Sequence, residues 1–264
     1  MVFDCLEHFV GTKRHTHIVE PQYEVSGDEA ASVMAAFERL ATGEPLQYVT
    51  SEAYFYGRTF SVTADTLIPR PETELLCRLA VEAAAKPNPR VLDLCTGSGC
   101  IAWTLALERP KSQVTAVDIS DGALAVASSQ DFSDEMSRTG AVAPSFIKAD
   151  ILSGPSSFPG KQYDIILSNP PYVMDKEKAL MRPNVLDYEP HLALFVSDED
   201  PLLFYRAVAD WSTELLAPDG VGIVEINEAL GEETAEVFLE RGFETAEVVK
   251  DLYEKDRFVR FAWK

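Results

Sequence analysis

Long apolar runs are missing from this sequence. No stretch approaches the roughly 18 residues of a membrane-spanning helix, and the opening MVFDCLEHFV has no basic n-region of a secretory signal. A cytoplasmic protein with no membrane partner is expected. Cysteine is scarce as well. Cys5, Cys77, Cys95 and Cys100 form no CxxC pair, and His8, His15, His17 and His191 show no ligand spacing with them. Reduced, mostly buried thiols are therefore expected, and no metal site. Positive charge is short too: 23 Lys and Arg stand against 43 Asp and Glu, a net charge of −20, and only KRHTH at 13–17 is locally basic. Such a chain repels phosphate backbones. Nucleic acid is disfavoured as a substrate, and a basic protein partner suits the surface better.

What is present describes a globular protein. With 264 residues, 46% of them hydrophobic and 25% charged, the chain can bury a large core in one or two domains. Residues 1 to about 45 read as helical: DCLEHFVG is a short amphipathic stretch ending at Gly11, and Ser26 with Glu29 three residues later makes a capping box for a helix that Gly43 ends. AYFYGRTFSV alternates around Gly57 as a β-hairpin does. TLIPRPE then opens a helix through ETELLCRLAVEAAA, and from Arg90 strands and helices alternate: RVLDLC, CIAWTLALE, QVTAVDI, DGALAVASSQ, SFIKAD, YDIILS, PLLFYRAVADWSTELL, GVGIVEI, GEETAEVFLERG. Alternation of this kind predicts an α/β fold, a mostly parallel sheet with helices on both faces. The end, from Phe243, reads as an antiparallel strand pair at a sheet edge.

Four strand ends carry chemistry. DLCTGSGCIA places Gly97 and Gly99 in a turn before a helix, where backbone can approach a ligand and free N–H groups point outward. The string also fits G-x-G-x-x-G/A, so a dinucleotide is an open alternative. Asp93, Asp118 and Asp150 end three successive strands. Asp93 would confront a pyrophosphate but can help hold an ammonium, Asp118 is placed for ribose hydroxyls, and Asp150 for an adenine amine. These three carboxylates favour S-adenosylmethionine, although each alone reads equally well as a helix cap. The fourth strand end is DIILSNPPYV. Two prolines after Asn169 remove backbone donors and stiffen the chain into a hook. Asn169 and the Pro170 carbonyl can each accept one N–H of a planar NH₂ group, Pro171 holds the hook rigid, and Tyr172 offers a flat face. Such a clamp serves a glutamine amide or an adenine amine.

With this loop, AVD, AD and NPPY in that order, the chain resembles the release-factor glutamine N5-methyltransferases, which are class I methyltransferases. The matching segments are GEPLQYVTSEAYFYGRTFSVTADTLIPRPETELL, VLDLCTGSGCIA, AVDIS, YDIILSNPPYV, YEPHLALF and KDLYEKDRFVRF, spread over residues 43–264. The resemblance implies a Rossmann-like seven-stranded sheet whose last strand is antiparallel. It further implies a helical docking domain at 1–50, a β-hairpin linker at 51–68 and a methyltransferase domain at 69–264. The implied cofactor is S-adenosylmethionine, with contacts from Asp93, Thr96, Gly97, Gly99, Asp118, Ile119, Asp150, Ile151 and Asn169. The implied substrate is the glutamine of a Gly-Gly-Gln loop in a release factor, met by Asn169, Pro170, Pro171 and Tyr172, and the enzyme is expected to be a monomer. Arg70 and Glu72 read equally as capping or substrate contacts, Phe55 and Tyr56 as hairpin core, and Glu189 and Pro190 as a loop over the substrate.

Departures from the family pattern are also legible. Cys95 occupies the first position of the glycine loop, as in sister enzymes that methylate a large-subunit ribosomal protein. The segment before GEPLQY is expected to be shortened, and EINEAL replaces a glycine-bearing stretch. The ribosomal protein is the alternative substrate, and adenine N6 of DNA or RNA a more distant one.

Overall fold

The computed structural model describes residues 2–155, 158 and 162–264. The chain opens with helices α1 (Val2–Val10), α2 (Thr16–Val19), α3 (Gly27–Ala41) and α4 (Leu46–Thr50). Helix α3 starts where its sequence dictates. The Glu29 N–H donates to Ser26 Oγ at 3.3 Å and the Ser26 N–H donates to Glu29 Oε2 at 2.9 Å, so two orphan donors are satisfied reciprocally. Cys5, Ala36 and Val49 join α1, α3 and α4 in a small core. Strands β1 (Glu52–Phe55) and β2 (Arg58–Ser61) then pair antiparallel. Their two-residue turn needs positive φ at both positions, and Tyr56 and Gly57 have φ of 49° and 78°.

The remaining elements are α5 (Thr73–Ala83), β3 (Arg90–Leu94), α6 (Cys100–Glu108), β4 (Gln113–Asp118), α7 (Asp121–Ser129), α8 (Ser133–Thr139), β5 (Ser145–Lys148) and β6 (Tyr163–Ser168). After them come β7 (Val173–Met174), α9 (Pro183–Leu186), α10 (His191–Leu194), β8 (Phe195–Val196), α11 (Leu203–Leu215), β9 (Leu216–Glu225), α12 (Gly231–Glu240), β10 (Thr245–Lys250) and β11 (Asp256–Ala262). The main sheet has seven strands in the order β10-β11-β9-β6-β3-β4-β5. Strands β9, β6, β3, β4 and β5 run parallel, and β11 lies antiparallel between β9 and β10. This is the mixed seven-stranded sheet that the resemblance implied.

Period-two alternation sends the strand residues into two cores, one on each face of the sheet. Leu92, Leu94, Ile166, Val224 and Phe261 pack with Trp211 of α11 and Phe238 of α12. Val91, Ile165, Leu167, Ile223 and Phe258 pack with Leu76 of α5 and Leu105 of α6. Phe55 and Phe60 of the hairpin join this second core, both fully buried, which is the hairpin-core reading of Phe55. Periodicity did not reveal the short pieces: α2, α4, α8 to α10, and β7 with β8, which form a two-stranded parallel pair. Segments of two to seven residues carry too little pattern to register as elements.

Candidate active site

A cavity of about 260 Å³ opens at the carboxyl ends of β3, β4, β5 and β6. From β3 the chain proceeds outward to β4 and β5, whereas β6 and β9 lie on the other side of β3. The strand order reverses at β3, and open α/β sheets leave a crevice at such a point. Four strand-end loops line the cavity, together with 64–70 before α5, Thr73 at its start, 190–193 around α10, and Phe204 of α11.

The loop after β3 is held by the next strand. The Gly97 N–H donates to Asp118 Oδ2 and the Ser120 N–H donates to Asp118 Oδ1, each at 2.9 Å. Burial raises the Asp118 carboxyl, and backbone N–H groups of Ser120, Gly97 and Ile119 oppose it. Both oxygens keep acceptor capacity beyond these bonds. Asp150 Oδ1 accepts from the Leu152 N–H at 2.9 Å and caps a 3₁₀ turn over Ile151–Ser153, yet it also lines the cavity. One side chain both caps the turn and lines the cavity.

Gly99 has another function. A Cβ there would stand 2.9 Å from the Ala127 Cβ, so the missing side chain lets α6 approach α7. Cys95, with φ of 62°, holds a left-handed conformation that side chains other than glycine rarely adopt. Asp93 is fully buried behind the loop and accepts from Thr96 Oγ1 at 2.6 Å. Burial pushes its carboxyl up to about 7, with the Thr96 hydroxyl pulling it down, and its Oδ1 has no partner among the described residues.

The hook after β6 is tied into the interior. Asn169 Nδ2 donates to Thr73 Oγ1 at 3.3 Å, and the Thr73 hydroxyl donates to Glu225 Oε2 at 2.7 Å. The Tyr172 hydroxyl donates to Glu225 Oε1 at 3.0 Å. Burial raises Glu225, Thr73, Tyr172 and Arg257 lower it in that order, and Glu72 raises it. Burial, then Glu225, pushes the Tyr172 phenol well up. Asn227 pins the same hook, its Nδ2 donating to the Tyr172 carbonyl at 3.2 Å and to Glu177 Oε2 at 2.8 Å.

The cavity thus gathers Thr96, Gly97, Asp118, Ile119, Asp150, Ile151, Asn169 and Pro171. Asp93, Gly99, Pro170 and Tyr172 stand behind its wall. Tyr172 is drawn back by its bond to Glu225, and Pro170 is buried, although among the described residues no donor reaches the Pro170 carbonyl. Arg70 lines the cavity and its Nη2 donates to Glu189 Oε1 at 2.6 Å, while Glu72 is exposed with no capping bond. Sequence reasoning passed over Thr73, Glu225 and Asn227. A signal for Glu225 existed: GVGIVE is another apolar strand ending in a carboxylate, like the one that ends in Asp118.

Among the described residues the charged groups on the wall are Asp65, Asp118, Asp150 and Arg70. Three carboxylates against one guanidinium disfavour a pyrophosphate and favour a sulfonium with an ammonium. This donor set fits S-adenosylmethionine rather than a dinucleotide.

Comparison with known proteins agrees. The methyltransferase small domain matches residues 72–186, and the PrmC N-terminal domain matches residues 4–50. A release factor glutamine methyltransferase of Flavobacterium psychrophilum is 39% identical over 259 residues, covering 97% of this chain and 88% of that one. One of Bacteroides thetaiotaomicron is 45% identical over 224 residues, covering 84% and 77%. A solved methyltransferase from Pyrococcus furiosus matches with a TM-score of 0.54 at 13% identity, over 90% of this chain and 99% of that one, a likeness of fold alone.

Proposed function

The chain belongs to the release factor glutamine methyltransferase family, and on that premise we propose that it methylates the side-chain nitrogen of the glutamine in a Gly-Gly-Gln loop of a peptide-chain release factor. The observation that carries the reading is Asn169. It lines the same cavity as Asp118 and Asp150, its NH₂ group is committed to Thr73, and nothing among the described residues donates to its Oδ1.

S-adenosylmethionine, when bound, supplies a methyl group on a positive sulfonium, the electrophile of the reaction. Asp118 would hold the ribose hydroxyls and Asp150 with Ile151 the adenine, while Thr96 and Gly97 shape the wall beside the methionine moiety. A glutamine amide is a poor nucleophile because its nitrogen lone pair is delocalised into the carbonyl. Asn169 Oδ1 accepts one of its N–H groups and fixes the nitrogen in place, and positioning of this kind supplies several kcal/mol of the barrier. No strong base is needed, since the proton leaves after the methyl group arrives. Ile119, Ile151, Pro171 and Phe204 give the wall its apolar surface.

On this reading residues 1–50 dock the partner, 51–68 link, and 69–264 carry the transfer, in a cytoplasmic monomer. The net charge of −20 and the carboxylate-rich wall argue against nucleic acid. Cys95 is the feature shared with ribosomal-protein enzymes, and the assay keeps that substrate in view. Labelled S-adenosylmethionine is incubated with the enzyme and, separately, release factor, ribosomal subunits or unmethylated DNA, followed by peptide mass mapping. Label on the Gly-Gly-Gln glutamine is expected. Label only on a ribosomal protein or on DNA overturns the substrate.

A further inference from the structure

The Asn169 amide has two ends of similar shape and opposite chemistry, and the clamp works only if the oxygen faces the substrate. The hook does not decide which end that is. The contact to Asn169 Nδ2 comes from Thr73, at the start of α5, and Thr73 is in turn bonded to Glu225, at the end of β9. Thr73 is 2% exposed and Glu225 1%.

With Glu225 ionised, the protons available fix the orientation. A hydroxyl has one proton to donate, and an ionised carboxylate only accepts. Both carboxylate oxygens of Glu225 are occupied by hydroxyl donors, Thr73 on Oε2 and Tyr172 on Oε1. The Thr73 proton therefore points to Glu225, leaving only lone pairs for Asn169. An amide that meets a lone pair must present its NH₂ group, so its oxygen turns away, toward the cavity. Were a donor to replace the carboxylate, the Thr73 proton would be released toward Asn169. The amide could then rotate to accept it, and an NH₂ group would face the substrate NH₂.

We propose that Thr73 and Glu225 are positioning residues that set the orientation of the Asn169 amide, with Tyr172 anchoring the second oxygen of Glu225. This gives the tyrosine of NPPY a place in the network beside whatever contact it makes with a substrate. The inference rests on the reading of Asn169 as acceptor for the substrate amide.

Three variants test it: Thr73→Val, which keeps the shape and loses the hydroxyl; Glu225→Gln, which is isosteric and introduces a donor; and Thr73→Ser, which restores the hydroxyl. Thr73→Val is expected to lower kcat on release factor by about 10- to 100-fold, the scale on which misplacement costs rate, and Glu225→Gln to do the same where its NH₂ group rather than its carbonyl meets Thr73. KM and the calorimetric affinity for S-adenosylmethionine should stay within about threefold, as for a loss confined to the transition state. Thr73→Ser should recover most of the loss. A second readout uses no substrate. In nitrogen-15 spectra of the ligand-free protein, the Asn169 side-chain NH₂ protons should exchange at least tenfold faster in Thr73→Val than in the parent. Parent-like kcat in Thr73→Val, or unchanged exchange at Asn169, overturns the proposal. Because exchange is read without substrate, it decides the network even if another glutamine proves to be the one methylated.

Discussion

Asn169 and Asp118 face one cavity but address different ligands, so their removal should separate. Asn169→Ala loses the amide acceptor, and turnover should fall by about 10²-fold or more while cofactor affinity is nearly kept. Asp118→Ala should do the reverse, weakening S-adenosylmethionine by about 1.5–3 kcal/mol for each lost charged hydrogen bond. Calorimetry and single-turnover kinetics on the two variants read both effects, and equal losses in each would contradict the division. Asp93 gives a pH signature. Its ordinary value is 3.8 and in the fold it lies near 7, so below 3.8 the acid is neutral in both states and nothing is lost. As pH rises toward 7 the unfolded chain ionises freely while the fold resists, and stability drains away. Asp93→Asn, which still accepts from Thr96, should therefore gain on the parent between pH 4 and 7, by at most roughly 4 kcal/mol. Melting of the ligand-free proteins at pH 5 and pH 8 checks this, and an advantage that does not grow with pH would show that Asp93 is not a buried charge.

At the scale of elements, strands and long helices announce themselves because their apolar period repeats within about ten residues. QVTAVD and YDIILS became β4 and β6, and the capping box at Ser26 opened α3 where the sequence placed it. The positions of Asp118 at the end of β4, and of Asp150 and Asn169 just beyond β5 and β6, followed from that pattern alone. Packing between elements did not. Gly222 in β9 stands opposite Phe261 in β11, and a Cβ at Gly222 would lie 1.9 Å from the Phe261 ring. Phe261 cannot yield, since Phe238 stacks on it at 3.9 Å and Phe243 meets it edge-on at 4.9 Å. Gly222→Ala should thus cost about 1–3 kcal/mol by overpacking. Urea denaturation measures it, and an unchanged midpoint would mean that β11 shifts freely.

Across the whole molecule, one wall of the cavity is held by an ion pair between distant segments. Arg70 Nη2 and the Ile68 N–H both donate to Glu189, 119 and 121 residues away, and Glu189 is 3% exposed. Arg70→Met would leave that carboxylate with a single backbone donor. Breaking a buried pair costs about 3–5 kcal/mol, and Arg70 is 32% exposed, so a loss of about 2 kcal/mol is expected. Loosening of 64–70 against 188–193 should also raise the KM for release factor. Denaturation and steady-state kinetics test both, and a variant as stable as the parent would show that solvent already screens the pair.

The sequence by itself determined the alternation of strand and helix, the strand ends where carboxylates and Asn169 emerge, and the family, because each is written in contiguous residues. Only the tertiary structure decided how those pieces meet. Asp93 and Gly99 read as ligand contacts in a linear motif, yet one is buried behind Thr96 and the other is the gap that admits Ala127. The hydrogen bond from Thr73 to Glu225 spans 152 residues. It exists because α5 and the end of β9 meet beside β6, and strand order is not a local property of any segment. The choice of which end of Asn169 faces the cavity lies in that long-range contact, so no reading of SNPPY alone could have made it.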